Sequence, residues 1–142
     1  MSMAYDQDNI FAKILRQELP CHKVYEDETT LAFMDIMPQM PGHTLVIPKE
    51  PAEDLLELSQ QAASDLINKV QTIAKAVKQA MDAPGITIFQ LNGEAAGQTV
   101  PHIHFHILPG SILGARTHAQ TMGDNEELAA NAEKIRAVLA QS

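Results

Sequence analysis

The sequence predicts an α+β fold with a mainly antiparallel sheet, and three observations carry that prediction. Short apolar, β-branched runs recur between turn residues, at Val24–Glu26, Leu31–Met34, Thr44–Pro48, Ile86–Leu91 and Pro101–Pro109, which makes five strands. The first two are hairpin-like neighbours around Asp27-Glu28-Thr29. Between the third and fourth lies one long stretch, Pro51 to Met81, whose apolar residues recur at steps of three or four, as in a single helical crossover.

The other elements follow in chain order. Asn9 to Arg16 predicts a short helix, with Asn9 as N-cap and Ile10, Phe11, Ile14 and Leu15 on its apolar face. Pro38, Pro41 and Gly42 make Met37–Gly42 a loop. Pro51 suits a helix start and Pro84-Gly85 a stop. Asn92–Gln98 is a loop of small residues, and 111–123 reads as irregular. A last helix is expected from about Asn125 to Ala140, capped by Asp124, with Glu127 completing a capping box and Leu128, Ile135, Val138 and Leu139 on its inner face.

Composition limits the function classes. The 142 residues fit one domain, 1–142, large enough to bury a core. No apolar run approaches the roughly 20 residues that span a bilayer, and Met1–Asp8 lacks the pattern of a signal peptide. Cys21 stands alone and cannot close an internal disulfide, which agrees with a reducing compartment; a cytoplasmic protein with no membrane partner is expected. A net charge of −8 and a lack of Trp argue against a nucleic-acid partner. They leave room for an anionic small molecule bound locally.

The stretch Pro101-His102-Ile103-His104-Phe105-His106-Ile107-Leu108-Pro109 is the most informative feature. Alternation along a strand places His102, His104 and His106 on one face and Ile103, Phe105 and Ile107 on the other. Three uses stay open on these residues alone: a zinc site, covalent catalysis by one imidazole, or a polar face open to water. The preceding Gly97-Gln98-Thr99 tilts the choice toward phosphate. It supplies a residue without Cβ, an amide, a hydroxyl and consecutive N–H groups, the equipment of an anion cradle. A metal would gain more from a nearby carboxylate or thiolate.

The run from Gly97 to Pro109 closely resembles the signature of the histidine triad (HIT) family. Ile10–Ile14, Leu31–Ile36, Pro38-Gln39 and Gly42–Lys49 are similar to the family's upstream blocks, in order, so the resemblance covers residues 9 to 109 and is closest to the Hint-like branch. It implies an α+β subunit whose five-stranded sheet, with one long helix and short terminal helices, continues across a homodimer. It also implies hydrolysis of purine nucleoside phosphoramidates or related conjugates at the α-phosphate, through a nucleotidyl-histidine, without metal or cofactor. His104 would be the nucleophile, its ring held by a backbone carbonyl. His106 and His102 would flank the phosphate, the Thr99 hydroxyl would contact its oxygens, and His43 would sit near the leaving group. Asp35 would bind the ribose; Ile10, Phe11, Ile14, Phe33 and Ile36 would line the nucleoside pocket; Asn92, Gly97 and Gln98 would complete the site.

The chain departs from the family in three places. Asn9-Ile10-Phe11-Ala12 stands where some bacterial members carry a zinc-binding Cys-x-x-Cys, so no zinc is expected there. Leu91 occupies a slot that many members fill with Asn or Gln. Beyond Pro109 the likeness fades, and the tail with His118 either reaches a partner subunit's site or packs on the surface. The rivals are a dinucleoside polyphosphate hydrolase, a nucleotide-binding regulator with little catalysis, and a zinc-dependent hydrolase.

Overall fold

The structure, a computed structural model, describes residues 5–114 and 121–141; His118 lies outside them. Strands β1 (Lys23–Glu26), β2 (Thr30–Met34), β3 (Thr44–Pro48), β4 (Thr87–Gln90) and β5 (Phe105–Leu108) form one antiparallel sheet in the order β1-β2-β3-β5-β4. Helices α1 (Ile10–Leu15), α2 (Gln60–Ala80) and α3 (Asn125–Ala140) complete the α+β fold that the sequence predicts. Asn9 caps α1 by accepting from the Ala12 N–H at 2.9 Å. Asp124 caps α3 by accepting from the Glu127 N–H at 3.1 Å.

Three expectations are corrected. The long helix begins at Gln60, not Pro51, with Ser59 as its cap. Residues 51–59 are held otherwise: the Ala52 carbonyl accepts from Ile103 N, the Glu53 carbonyl from Gln98 Nε2, and Leu55 N donates to Asn92 Oδ1. A helix started at Pro51 would claim those two carbonyls for its own next turn. The paired strand β5 starts only at Phe105, so His102 and His104 stand just before the ladder. The C-terminal helix has 16 residues and is not short.

The pleat divides the sheet into two unlike faces. Val24, Ala32, Met34, Val46, Ile103 and Ile107 turn toward α2 and α3, where Leu66, Val70, Ile73, Val77, Leu128 and Ile135 close a continuous apolar core. Leu31, Phe33, Leu45 and Ile47 turn the other way and are covered by Phe11 of the short α1. The histidines lie on this second, thinner side.

Candidate functional site

The polar face of the 102–108 segment is not open to water. His43, His102 and His104 are buried and His106 is half-buried. Burial disfavours the imidazolium and lowers the pKa of all four: His43 to about 3, His102 to about 4 and His106 to about 2, with His104 lowered as well. The four rings are neutral near pH 7, so each carries one proton, and its hydrogen-bond partners fix which nitrogen holds it.

The Nδ1–H of His104 donates to the His102 carbonyl at 2.7 Å. Its Nε2 is therefore a bare lone pair. The Gln39 N–H donates to His43 Nδ1 at 3.0 Å, which leaves the His43 proton on Nε2. That N–H donates to His106 Nδ1 at 2.9 Å, so His106 carries its own proton on Nε2. The result is one nucleophilic nitrogen beside one N–H donor, with the rings of His104 and His106 4.8 Å apart.

Aromatic contacts hold these rings in place. Phe89 stacks on His106 at 4.2 Å with a 6° tilt, and Phe11 meets His104 edge-on at 4.9 Å. The Phe89 contact follows from register: Leu45 of β3, His106 of β5 and Phe89 of β4 lie side by side across the sheet. His43 is placed by the loop before β3, where its N–H donates to Met40 O and its carbonyl accepts from Asp35 N. Gly42 makes that loop possible: its φ is +89°, and a Cβ there would stand 2.9 Å from Met81 Cγ and Pro109 Cγ.

His102 is placed differently from the sequence expectation. Its Nε2–H donates to the Pro48 carbonyl at 2.9 Å and its Nδ1 accepts from the Tyr5 hydroxyl. Both ring nitrogens are committed inside the fold, so His102 offers no polar atom to a phosphate. The loop before it is similarly committed. The Gly97 and Gln98 N–H groups bond to Glu94 O and Gly93 O, so they form a tight turn and not the expected anion cradle. The Gln98 amide braces Gly93 N, Glu53 O and Val100 O, and the Asn92 amide holds Leu55 N and Gln90. Gly97, at φ +103°, allows the turn, and Thr99 is exposed at its end.

Asp35 follows β2 beside His43. Its Oδ1 accepts from Met37 N at 2.9 Å, its Oδ2 lies 3.5 Å from His43 Nε2, and burial raises its pKa to about 6. Phe11 and Phe33 are buried, meeting edge-on at 5.4 Å; Ile14 is half-buried against them. Ile10 and Ile36 are exposed. Tyr5, Phe89, the Gln39 N–H and the Pro48 carbonyl join the site without any mark in the residue order. Residue spacing carries no signal for any of them, because each reaches the site through tertiary folding.

Asp35, His43 and His106 bring potential ligand atoms within 4.8 Å of one another. The proton positions do not fit a resident ion: His43 Nε2 holds a proton, and freeing it as a ligand would set a protonated Nδ1 against the Gln39 N–H. Asn9 and Ala12 offer no thiolate, and the Asn9 side chain is engaged in capping α1.

An antiparallel α+β sheet with an alternating histidine run on the face away from its long helices is the architecture of a histidine triad protein. The chain belongs to that family: the HIT domain model matches residues 16–112. A Hit-like protein involved in cell-cycle regulation from Bartonella henselae superposes with a TM-score of 0.89 at 51% identity, covering 96% of this chain and 99% of that one. A Zn-bound histidine triad family protein from Mycobacterium smegmatis has a TM-score of 0.81 at 33% identity, covering 95% of both chains. The adenosine 5'-monophosphoramidase hnt1 of Schizosaccharomyces pombe is 42% identical over 100 residues, 70% of this chain and 72% of its own length. No helix among the described residues is long and apolar enough to cross a membrane.

Proposed function

We propose that the chain is a nucleotide hydrolase of the histidine triad type, which cleaves nucleoside phosphoramidates or related conjugates at the α-phosphate and releases a nucleoside monophosphate. The observation that carries this reading is the bare Nε2 of neutral His104, set by the bond from its Nδ1–H to the His102 carbonyl. Family membership and the likeness to a monophosphoramidase support it.

The chemistry has two steps. His104 Nε2 attacks phosphorus, the bond to the leaving amine breaks, and the amine departs with a proton that its nitrogen takes from solvent. The imidazolium character that develops on His104 is stabilised by the His102 carbonyl, while the His106 Nε2–H donates to a phosphate oxygen. Water then attacks phosphorus and returns a proton to solvent, the P–Nε2 bond breaks to leave neutral His104, and the nucleotide leaves. His43 acts one bond behind His106 by fixing its tautomer. The Asp35 carboxylate receives the ribose hydroxyls, Phe11, Ile14, Phe33 and Ile36 border the nucleoside, and the Thr99 hydroxyl meets the phosphate. Gln98, Asn92 and His102 serve by bracing the loop and the strand entry.

We also propose one domain, cytoplasmic, acting as a homodimer whose sheet continues across the interface. The free edge of β4 supports this, since exposed Ile88 on it and exposed Ile67 on α2 border one apolar groove. The test of function is a substrate panel (adenosine phosphoramidate, adenylyl conjugates and dinucleoside polyphosphates) run in EDTA beside His104→Ala and His104→Asn. Turnover by wild type alone supports the reading. Turnover lost in EDTA and restored by zinc favours the metal hydrolase. Tight nucleotide binding without turnover favours the regulator.

A further inference from the structure

Tyr5 lies 97 positions from His102, yet its hydroxyl bonds to His102 Nδ1 at 2.5 Å, and the two rings meet edge-on at 5.6 Å. His102 is fully buried. With its proton donated to the Pro48 carbonyl, its Nδ1 is an acceptor that water does not reach, and an unmet buried acceptor is costly. Tyr5 supplies the missing donor. The segment bearing it is pinned: Asn9 N and Nδ2 both donate to Asp6 O, and the Arg16 guanidinium donates to Gln7 O at 2.7 Å. The carbonyl of the same His102 orients His104.

We propose that Tyr5 is a positioning residue: its hydroxyl, opposite the Pro48 carbonyl, seats the His102 ring, and through the His102 carbonyl it holds the His104 ring with Nε2 bare. The inference rests on His104 being the nucleophile. It makes the segment before α1 part of the site, although that segment lies far along the chain from the three histidines. The hydroxyl favours neutral His102, so deleting it raises the readiness of His102 to protonate.

The test is Tyr5→Phe, which keeps the ring and its packing and removes only the donor. Nitrogen NMR of the substrate-free protein across pH 4–8 reads the tautomers of His102 and His104. Turnover of adenosine phosphoramidate reads kcat and KM. In Tyr5→Phe we expect the His102 Nδ1 signal to shift and His102 to titrate at higher pH, and the His104 Nδ1–H signal to broaden or shift. We expect kcat to fall about three- to tenfold, the scale of one hydrogen bond, with KM little changed. The acid limb of the kcat profile should move up in pH. A purely structural role would lower the melting temperature and leave that limb in place. Wild-type histidine spectra in Tyr5→Phe, or altered spectra with unchanged kcat and pH profile, overturn the proposal. If His104→Ala is as active as wild type, the reading of function fails instead, and the spectra still decide whether Tyr5 governs the two rings.

Discussion

The two faces of the sheet are built to opposite specifications. The face toward α2 and α3 is mainly apolar, with Ile73, Val77, Ile107 and Ile135 fully buried and the Thr44 hydroxyl bonded to the Gly42 carbonyl. The face toward α1 has a small apolar patch and then four imidazoles, each tied to the backbone, to a neighbouring ring or to Tyr5. Packing on the first face is what lets the second tolerate buried groups that add little stability and lose some of it when they charge. Stability effects belong to the first face and activity effects to the second, and substitutions should separate the two.

His104→Ala is the sharpest separation. Turnover of adenosine phosphoramidate should fall by three orders of magnitude or more (~10³-fold), the scale of losing a nucleophile, while the melting temperature moves little. Ile73→Ala should do the reverse. It removes a fully buried side chain from the helical core and should cost about 2–5 kcal/mol in chemical denaturation, with kcat per folded molecule unchanged. A large kcat loss in Ile73→Ala would break the division.

Acid tests the histidine face as a unit. Four rings with depressed pKa values stay neutral when folded but protonate when unfolded, so unfolding takes up protons below about pH 6.5. Their contribution is fully present above that pH and is lost progressively as pH falls through the folded values, from about 4 for His102 to about 2 for His106. Asp35, raised to about 6, acts oppositely, gaining stability as pH drops through 6, but it is one group against four. The melting temperature should therefore fall from pH 7 to 5, and fall less in a His43→Gln/His106→Gln variant. Nucleotide affinity, measured by calorimetry, should also weaken below about pH 6 as Asp35 protonates and ceases to be a full acceptor for ribose.

Two smaller effects sharpen the boundary. Phe89→Leu keeps an apolar residue in β4 but removes the stack on His106; kcat should drop about three- to tenfold, as expected for the ~0.5–1.5 kcal/mol of an aromatic pair. Ser59→Ala should cost about 1 kcal/mol by thermal unfolding with turnover intact, because it deletes the cap of α2 on the far face. A null result there would argue for the helix start at Pro51 that the periodicity suggested.

Much of this arrangement is legible in residue order. Caps at Asn9 and Asp124, the β-branched runs and the alternating histidines are local features, and local chemistry decides them. What is illegible depends on which partner reaches a group first. Leu55 and Leu58 fit the helical period of α2, yet the Ala52 and Glu53 carbonyls are taken by Ile103 and Gln98, far along the chain. The Gly97-Gln98 N–H groups look available to an anion until the turn closes on Gly93 and Glu94. His102 matches a phosphate-contacting position in the motif, but Pro48 and Tyr5 engage both its nitrogens. Phe89 is one apolar residue among several until the register of β4 on β5 sets it against His106.

The proton positions at the site are set mostly by main-chain atoms: the N–H of residue 39, the carbonyl of residue 48 and the carbonyl of residue 102. A side chain can be exchanged, but a peptide group stays through nearly every exchange. Position 39 can thus change from glutamine to almost any residue and His43 still meets the same donor. Proline is the single replacement that deletes it, for it alone has no N–H. At His43, then, the acid–base wiring is written in the part of the polymer that point mutation scarcely touches.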